Sequence, residues 1–557
     1  MSFTMLHTAS LIRLLSARLQ RTAPRRLAVT IPALLSLAGA VPAQTPISPT
    51  AVLRPSPPQL DNGLGDSIAI DGEIIAVGKP QEEVNGIQNV GGVYLYRRPP
   101  AGWSGTLTQI ARLVPPAGNQ NWSFGWDLAI QDGVLVVGAP GSSLSATGQG
   151  SLFVYEEPPG GWSDSIQPSA RLVIDEAGGR EALGASVAID GDVIVGGATG
   201  FGNFTYEGRA YLFERPASGW SGVQVETASL RSNPSNPYDH FGISVGVSGD
   251  TVIVGAPSEI LGGQQGIAYI FEEPASGWDG LQWPDKTFRG PNGFPRDLFG
   301  SAVAIDGDVS VVGSPARERV YVYERNPLTY KWKEVSRLRT SDNSGLDFVG
   351  SYVALHGNTV LVGTPSAGAG AVYLFRKPAD GWSLLTCESG KLFSPSTSPG
   401  AFGESMAMQG SLVVVGDSVN ERIGAGYVFD LDLAQASFRN AGTNAPSLLV
   451  APALLGGSLE ATVDVGLTGH SDAILFAFEA AGQVTLGGGQ TLLCLDQGAG
   501  ELLSGSGKLA PGPLASFSCP LPSMPGMLAR TLSVQALHAF GATPFALSNA
   551  YDLTIGL

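Results

Sequence analysis

The stretch Phe241-Gly242-Ile243-Ser244-Val245-Gly246-Val247-Ser248-Gly249-Asp250-Thr251-Val252-Ile253-Val254-Gly255-Ala256-Pro257 decides the fold. Two apolar, β-branched runs flank a tight turn read at Ser248-Gly249, where glycine supplies the positive φ that a short hairpin loop needs. The same pattern recurs seven times. Its opening glycine falls at Gly65, Gly125, Gly184, Gly242, Gly300, Gly350 and Gly403, in steps of 60, 59, 58, 58, 50 and 53 residues. A strand-rich unit repeated at that spacing predicts a propeller or another stacked β array.

Each repeat continues alike. A loop leads to a third strand rich in aromatics, as in Val93-Tyr94-Leu95-Tyr96, Leu152-Phe153-Val154-Tyr155 and Ala268-Tyr269-Ile270-Phe271. A proline follows, then in five copies a Gly-Trp pair, at Trp103, Trp162, Trp220, Trp278 and Trp382. The recurrence of these tryptophans points to packing between blades. A fourth strand of the type Ala111-Arg112-Leu113-Val114 completes the unit, and four antiparallel strands make one propeller blade. The seventh copy has no such strand after Phe429, but Ala51-Val52-Leu53-Arg54-Pro55 stands ahead of the first copy. The expectation is an all-β protein: a seven-bladed β-propeller of four-stranded blades over residues 44–435, closed by a strand at 51–55 that protects two sheet edges.

Beyond the repeats the composition changes. Residues 436–446 read as a linker, and 447–557 hold short apolar runs between glycine-rich turns, from Ala461-Thr462-Val463 to Leu553-Thr554-Ile555. Such spacing predicts a small C-terminal β-sandwich. At the other end, residues 1–43 read as a signal peptide. Arg13, Arg18, Arg21, Arg25 and Arg26 precede an apolar run from Leu27 to Val41, and Val41-Pro42-Ala43 places small residues before a cut at Gln44. An uncleaved anchor is the alternative. No other apolar run is long enough to span a bilayer, so none is expected in the mature chain.

Composition narrows the function classes. The chain has 75 Gly, 39 Pro and only 14% charged residues, a balance that favours turn-rich β structure over disorder. Its formal net charge is −16, and loss of the five N-terminal arginines leaves −21. So acidic a surface repels phosphate backbones and argues against nucleic acid as a partner. Cys494 and Cys519 lie near one another in the C-terminal segment, while Cys387 lies in the repeats. Export permits a Cys494–Cys519 bridge; the alternative is that all three are small buried hydrophobes.

The pairs Phe124-Gly125…Gly138-Ala139-Pro140 and Phe241-Gly242…Gly255-Ala256-Pro257 resemble FG-GAP repeats, which build the integrin α-subunit head and many bacterial extracellular proteins. The resemblance covers roughly residues 50–435. It implies a seven-bladed propeller, secreted or at the cell surface, used for adhesion or recognition. Individual copies depart from the pattern. Leu64, Leu183 and Val349 replace the phenylalanine, Gly197-Ala198 lacks the proline, and Gly416-Asp417-Ser418 has lost Ala-Pro. Integrin-type repeats often carry a calcium loop between the first two strands. Here that loop has shrunk to Asp71-Gly72-Glu73, Asp132-Gly133-Val134, Asp190-Gly191-Asp192, Asp306-Gly307-Asp308 and His356-Gly357-Asn358. One or two carboxylates on so short a turn do not supply the six to eight oxygens calcium takes, so neither metal nor cofactor is expected.

Catalytic signals are sparse. His240 stands beside Asp239, but neighbours in extended chain point apart and nothing places a nucleophile there. Ser186, Ser244, Ser301, Ser351 and Ser405 recur just after the repeat glycine, and a nucleophile is needed only once, so a shared hydrogen-bonding role is expected. Topology points elsewhere. The turns between strands one and two and between three and four share one face and read as uniform and tight. The remaining connections share the opposite face and differ in every copy, which is where recognition residues concentrate on rigid scaffolds. Trp122, Phe204, Tyr206, Tyr238 and Asp239 are the candidates there for an aromatic, acidic contact surface; the alternative is that they anchor their own loops. The functional expectation is an exported, non-enzymatic recognition or adhesion protein, monomeric, with an extracellular protein or glycan as partner. The alternatives are a secreted hydrolase or lyase with a site over the propeller channel, and a structural component of the cell envelope.

Overall fold

The computed structural model describes residues 46–57, 63–144, 147–175, 180–200, 207–232, 239–258, 266–290, 297–340, 347–365, 370–378, 381–395, 400–419 and 423–431, together with the backbone of the strands between 435 and 554. Residues 1–43, read above as a signal peptide, and Phe204, Tyr206, Tyr238 and Cys494 lie outside the described residues. One compact unit spans Ser48–Asp430, and a second includes Leu431–Leu557.

The first unit is a seven-bladed β-propeller. Blade four shows the plan: Val245–Ser248, Thr251–Ala256, Ile267–Glu272 and Lys286–Phe288 lie side by side in chain order, each antiparallel to the next. The innermost strands are Ile68–Asp71, Leu128–Gln131, Leu183–Asp190, Val245–Ser248, Val303–Asp306, Tyr352–His356 and Met406–Gln409. Each touches the next, and the last touches the first, so they line the central channel as a closed ring. In the hairpin that opens blade four, Ser248 stands opposite Thr251. The turn is therefore Gly249-Asp250, one residue later than the sequence reading. Gly249 takes the first turn position at φ 54°, and Ser248 stays in the strand with its side chain available to a neighbour.

The two glycines of the repeat explain each other. The Gly of Gly-Ala-Pro, near the end of the second strand, packs against the Phe-Gly glycine of the next blade. A Cβ on Gly255 would stand 2.0 Å from the carbonyl oxygen of Gly300, and one on Gly416 would stand 2.0 Å from that of Gly65. The same collision recurs at the other five seams, so only glycine lets neighbouring blades close to this distance. The phenylalanine or its substitute fills the wedge beside that contact. Phe124, Phe241, Phe299 and Phe402, like Leu64, Leu183 and Val349, are buried. Around Phe241 the core joins two blades: Val252, Val254, Tyr269 and Phe271 of blade four meet Ala210, Leu212, Ala228 and Leu230 of blade three. Trp278 belongs to that cluster, and Trp103, Trp162 and Trp220 are similarly buried, as packing residues should be.

The connection after the third strand is not the tight turn read from sequence. Past Gly-Trp the chain crosses to the outer edge of the preceding blade and adds a fifth, parallel strand there. Gly105–Thr108 pairs with Ala51–Arg54, Gly222–Val225 with Ala170–Val173, and Gly280–Gln282 with Ala228–Leu230. Leu385–Cys387 pairs in the same way with Trp332–Arg339, and leaves Cys387 exposed rather than buried. Ala51–Arg54 is itself the fourth strand of blade seven, antiparallel to Ala425–Asp430. Both ends of the first unit thus meet in one sheet, fastened also by the Thr50 amide and hydroxyl donating to the Val428 carbonyl at 2.7 and 3.1 Å.

The second unit is built from antiparallel strands. One sheet runs Gln435–Arg439, Ala546–Thr554, Thr531–Ala539, Asp472–Phe478, Glu501–Ser506; another runs Leu448–Val450, Ser458–Asp464, Leu514–Pro520. The stretch read as a linker, 436–446, therefore begins within a strand. Among the described residues no helix is long and apolar enough to cross a membrane.

Candidate functional site

On the turn face, the last residue of each innermost strand reaches the glycine amide of the next blade's turn. The amides of Gly133, Gly191, Gly249, Gly307, Gly357 and Gly72 donate to Asp71 Oδ2 (3.2 Å), Gln131 Oε1 (2.7 Å), Asp190 Oδ2 (2.6 Å), Ser248 Oγ (3.0 Å), Asp306 Oδ2 (2.6 Å) and Gln409 Oε1 (2.6 Å). Among the described residues the seventh step, His356 to Gly410, has no such bond; the His356 ring instead faces Asp306, with Nδ1 3.8 Å from Oδ2. The carboxylates that sequence reading assigned to turn formation therefore also tie blade to blade. Among the described residues no group of three or more His, Cys, Asp or Glu side chains is placed to hold a metal. An open concavity of about 910 Å³ lies on this face beside blades one to three. Its two arginines are engaged by acids of the same lining: Arg97 with Glu157 at 2.6 Å and Arg215 with Glu156 at 2.8 Å. That arrangement describes a seam more than a binding pocket.

The loop face differs. Here the chain enters each innermost strand through the repeat glycine, and the side chains just past it ring the channel mouth. Two residues on, Ser67, Ser186 and Ser405 donate to the carbonyls of Gly125 (2.8 Å), Gly242 (2.9 Å) and Gly65 (2.5 Å) in neighbouring blades. Ser301 and Ser351 donate at 2.8 Å to Leu298 and Phe348 within their own loops. Asp127 takes the serine position in blade two, where its carboxylate accepts the amides of Val187 at 2.7 Å and Leu128 at 3.0 Å. Despite those bonds, burial pushes Asp127 up to about 7.

One residue past the glycine the repeat diverges: Asp66, Trp126, Ala185, Ile243, Ser301, Ser351, Glu404. Asp66 and Glu404 meet at the seam of blades seven and one, with Ser418 between them. The Ser418 amide donates to Glu404 Oε1 at 2.7 Å, and its hydroxyl serves both carboxyls. Burial raises Asp66 to about 6, against the lowering effect of that hydroxyl. Burial raises Glu404 to about 7, and the negative charges of Asp66 and Asp417 add to it. Tyr352, 40% exposed at the start of its channel-lining strand, feels both carboxylates, and burial pushes its hydroxyl up as well. Trp126 and Phe348 are 47% and 46% exposed on the same rim. The arrangement pairs two proton-holding carboxyls with half-exposed aromatic rings.

Of the residues singled out from sequence for a contact surface, Trp122 and Asp239 are described, and both are placed differently. Trp122 is buried, stacked on Phe153 at 6.2 Å between ring centres, with the Arg171 guanidinium 5.2 Å above it. It is a packing residue and presents no contact surface. Asp239 is buried as well. His240 has φ 54°, but so have the residues two before the glycine in other blades, among them Ser123 at 53°, Leu298 at 55° and Phe348 at 52°. A backbone geometry shared across blades marks the loop, not a site. Sequence reasoning missed Asp66, Trp126, Tyr352 and Glu404. The available signal was loss of likeness immediately after a glycine that recurs in every copy.

The fold defines the class: a seven-bladed β-propeller with a closed ring of repeats. The chain is an FG-GAP β-propeller protein; the FG-GAP repeat family model matches residues 107–155, 225–271 and 332–375. The first two matches open in the fifth strands at Gly105–Thr108 and Gly222–Val225 and the third in the fourth strand Trp332–Arg339, and they close in the third strands of blades two, four and six. Similar solved structures include a periplasmic gluconolactonase of Pseudomonas aeruginosa, at 16% identity over 59% of this chain and 86% of that one, with a TM-score of 0.37. They also include a chain of an inhibitor-bound, humanized mutant Polycomb Repressive Complex 2 of Chaetomium thermophilum, at 11% identity over 66% and 94%, with a TM-score of 0.42. Likeness at that level carries no functional argument. No curated protein matches the chain.

Proposed function

We propose that this is an exported, non-enzymatic recognition protein that binds an extracellular protein or glycan at the loop-side mouth of its channel. The observation that carries the reading is the contrast at successive positions past the repeat glycine. The second position is mostly a hydrogen-bonding side chain that fastens blades, whereas the first varies from blade to blade and includes Asp66, Trp126 and Glu404. Side chains that do no shared structural work, raised on a rigid ring beside Tyr352 and Phe348, suit a partner rich in hydroxyl, amide or cationic groups. The test is saturable binding to immobilised extracellular polysaccharides and matrix proteins, repeated with Trp126→Ala, Tyr352→Ala and Glu404→Gln. Binding weakened tenfold or more by these changes supports the reading. Binding indifferent to all three assigns recognition to another surface.

A second reading rests on the carboxyl pair. Groups near 6 and 7 are suited to general acid and base work at neutral pH, so a hydrolase acting over the channel is the competing function. Turnover of a polysaccharide or ester substrate, lost in Glu404→Gln and Asp66→Asn, would replace the binding reading.

A further inference from the structure

The fourth strand of a blade ends its own sheet, and a bare strand edge is a template for another strand. Five blades are five-stranded; four of them fill that template with the fifth strands described above, and the four guests dock alike. One side chain of each faces inward, opposite a leucine of the host strand: Leu107 on Leu53, Gln224 on Leu172, Gln282 on Leu230 and Thr386 on Leu338. Blade one uses a substitute. Asp164 from the next repeat accepts the outward amide of Arg112 at 2.6 Å.

Blade four has neither. Its sheet ends at Lys286–Phe288, and none of the described residues pairs with the outer side of that strand. The cause lies in repeat five, which lacks Gly-Trp. After Arg319–Arg325 a turn closed by the Asn326 amide on the Lys331 carbonyl, at 3.0 Å, leads directly into Trp332–Arg339. No residues remain to lie along blade four. Trp332 still seals the seam, edge-on to Phe288 at 5.8 Å, while Tyr323 stacks on Phe288 at 4.0 Å. Phe288 thus stands where the other hosts have leucine. Thr287, paired with Tyr269, corresponds to Arg112, paired with Tyr94, so its amide and carbonyl point outward.

The surroundings of this edge are basic in a chain of net charge −16. Lys286, Arg289, Lys331 and Lys333 are exposed, and the nearest acid in sequence, Asp285, is engaged by the Glu272 amide at 2.8 Å. Trp283 and Tyr330 add exposed aromatic surface beside it. We propose that Lys286–Phe288 is a docking edge that takes an extended acidic segment of a partner protein as a fifth, parallel strand, with one inward side chain over Phe288. A second copy of the chain is disfavoured as the occupant, because it would bring the same lysines to the contact. Backbone pairing supplies affinity in this mode, and side chains at alternate positions supply selectivity.

The test uses the full chain and a fluorescein-labelled peptide carrying the Gly222–Val225 sequence flanked by glutamates, read by anisotropy. Saturable binding is expected, with hydrogen-exchange protection gained at 286–288. Thr287→Pro removes the outward amide and should weaken binding tenfold or more. Lys331→Glu with Lys333→Glu, which leaves the strand intact, should do the same. A peptide N-methylated at alternate amides should not bind. Absence of saturation, equal binding of a lysine-flanked peptide, or unchanged binding of the methylated peptide overturns the proposal. Self-association in ultracentrifugation that the peptide competes away would give the edge to a second copy and overturn it too.

Discussion

The two rims of the ring are made from one repeat and come out differently. At the turn rim every blade contributes a two-residue loop and one polar side chain, and in six steps that side chain holds the next loop by its amide. At the loop rim the blades meet glycine against glycine, and the residue just beyond is free to vary. Stiffness resides where the sequence repeats, and chemical diversity where it does not. A scaffold that separates the two can change its ligand without loosening its ring.

Removing residues 48–55 should break this arrangement most completely. Ala51–Arg54 stands between Ala425–Asp430 and Gly105–Thr108, so its loss bares both. Hydrogen exchange should show lost protection over Leu412–Phe429 with the middle blades little changed; protection unchanged there would mean that the ring closes without this strand. The next largest effect separates two kinds of glycine. In Gly255→Ala the new Cβ meets a backbone oxygen at 2.0 Å, and a cost of about 3 kcal/mol or more is expected from urea unfolding. In Gly249→Ala the Cβ meets nothing within 4 Å and only the φ of 54° is strained, at about 1 kcal/mol. Equal costs would refute the glycine-to-glycine account of the seams.

The turn rim should respond less. Asp190 accepts from the Gly249 amide and from Gln131 Nε2 at 3.0 Å, so Asp190→Ala should cost about 1–2 kcal/mol. Ser248→Ala removes the single bond to Gly307 and should cost about 1 kcal/mol. If Ser248→Ala proved the costlier change, the ring of bonds would not be what holds this rim. The smallest effect concerns pH. Asp66, Asp127 and Glu404 hold their protons to about 6 or 7, whereas unfolded carboxyls release theirs near 4. The folded state therefore binds the extra protons. Stability from these groups is fully present below about pH 4 and is lost as pH rises through 6 to 7. Melting temperature should fall between pH 5 and 8, more steeply in the wild type than in Glu404→Gln. Identical slopes would show that general repulsion among surface acids dominates.

Much of the propeller was legible because its signals are local and repeated. Alternating β-formers, a turn glycine and a recurrent Phe-Gly each carry their meaning within a few residues, and seven copies fix the phase. The fifth strands were not legible. Gly105-Thr106-Leu107-Thr108 is too short for alternation to show, and its partner lies some 50 residues earlier in the chain. The carboxylates of Asp71, Asp190 and Asp306 were seen but given half their role, because contact with the following blade exists only once the ring has closed. The candidate rim escaped notice for a related reason. Asp66 and Glu404 are 338 positions apart, and only closure brings them to one serine. Trp122 misled because an aromatic in a variable connection looks like a contact residue, while here Arg171 and Phe153 enclose it.

Closure by two chain ends also has a mechanical side. Ala51 lies opposite Val428 and Leu53 opposite Gly426, so the entering strand and the departing strand leave the ring at the same end of one sheet. Tension drawing those two ends apart would peel the pairing one bond at a time, the geometry in which a β-sheet yields most easily. Load carried through one end alone, or across the outer perimeter, would meet whole blades instead. The propeller is thus a strong body with a release seam, and the direction of pull decides which of the two a partner feels.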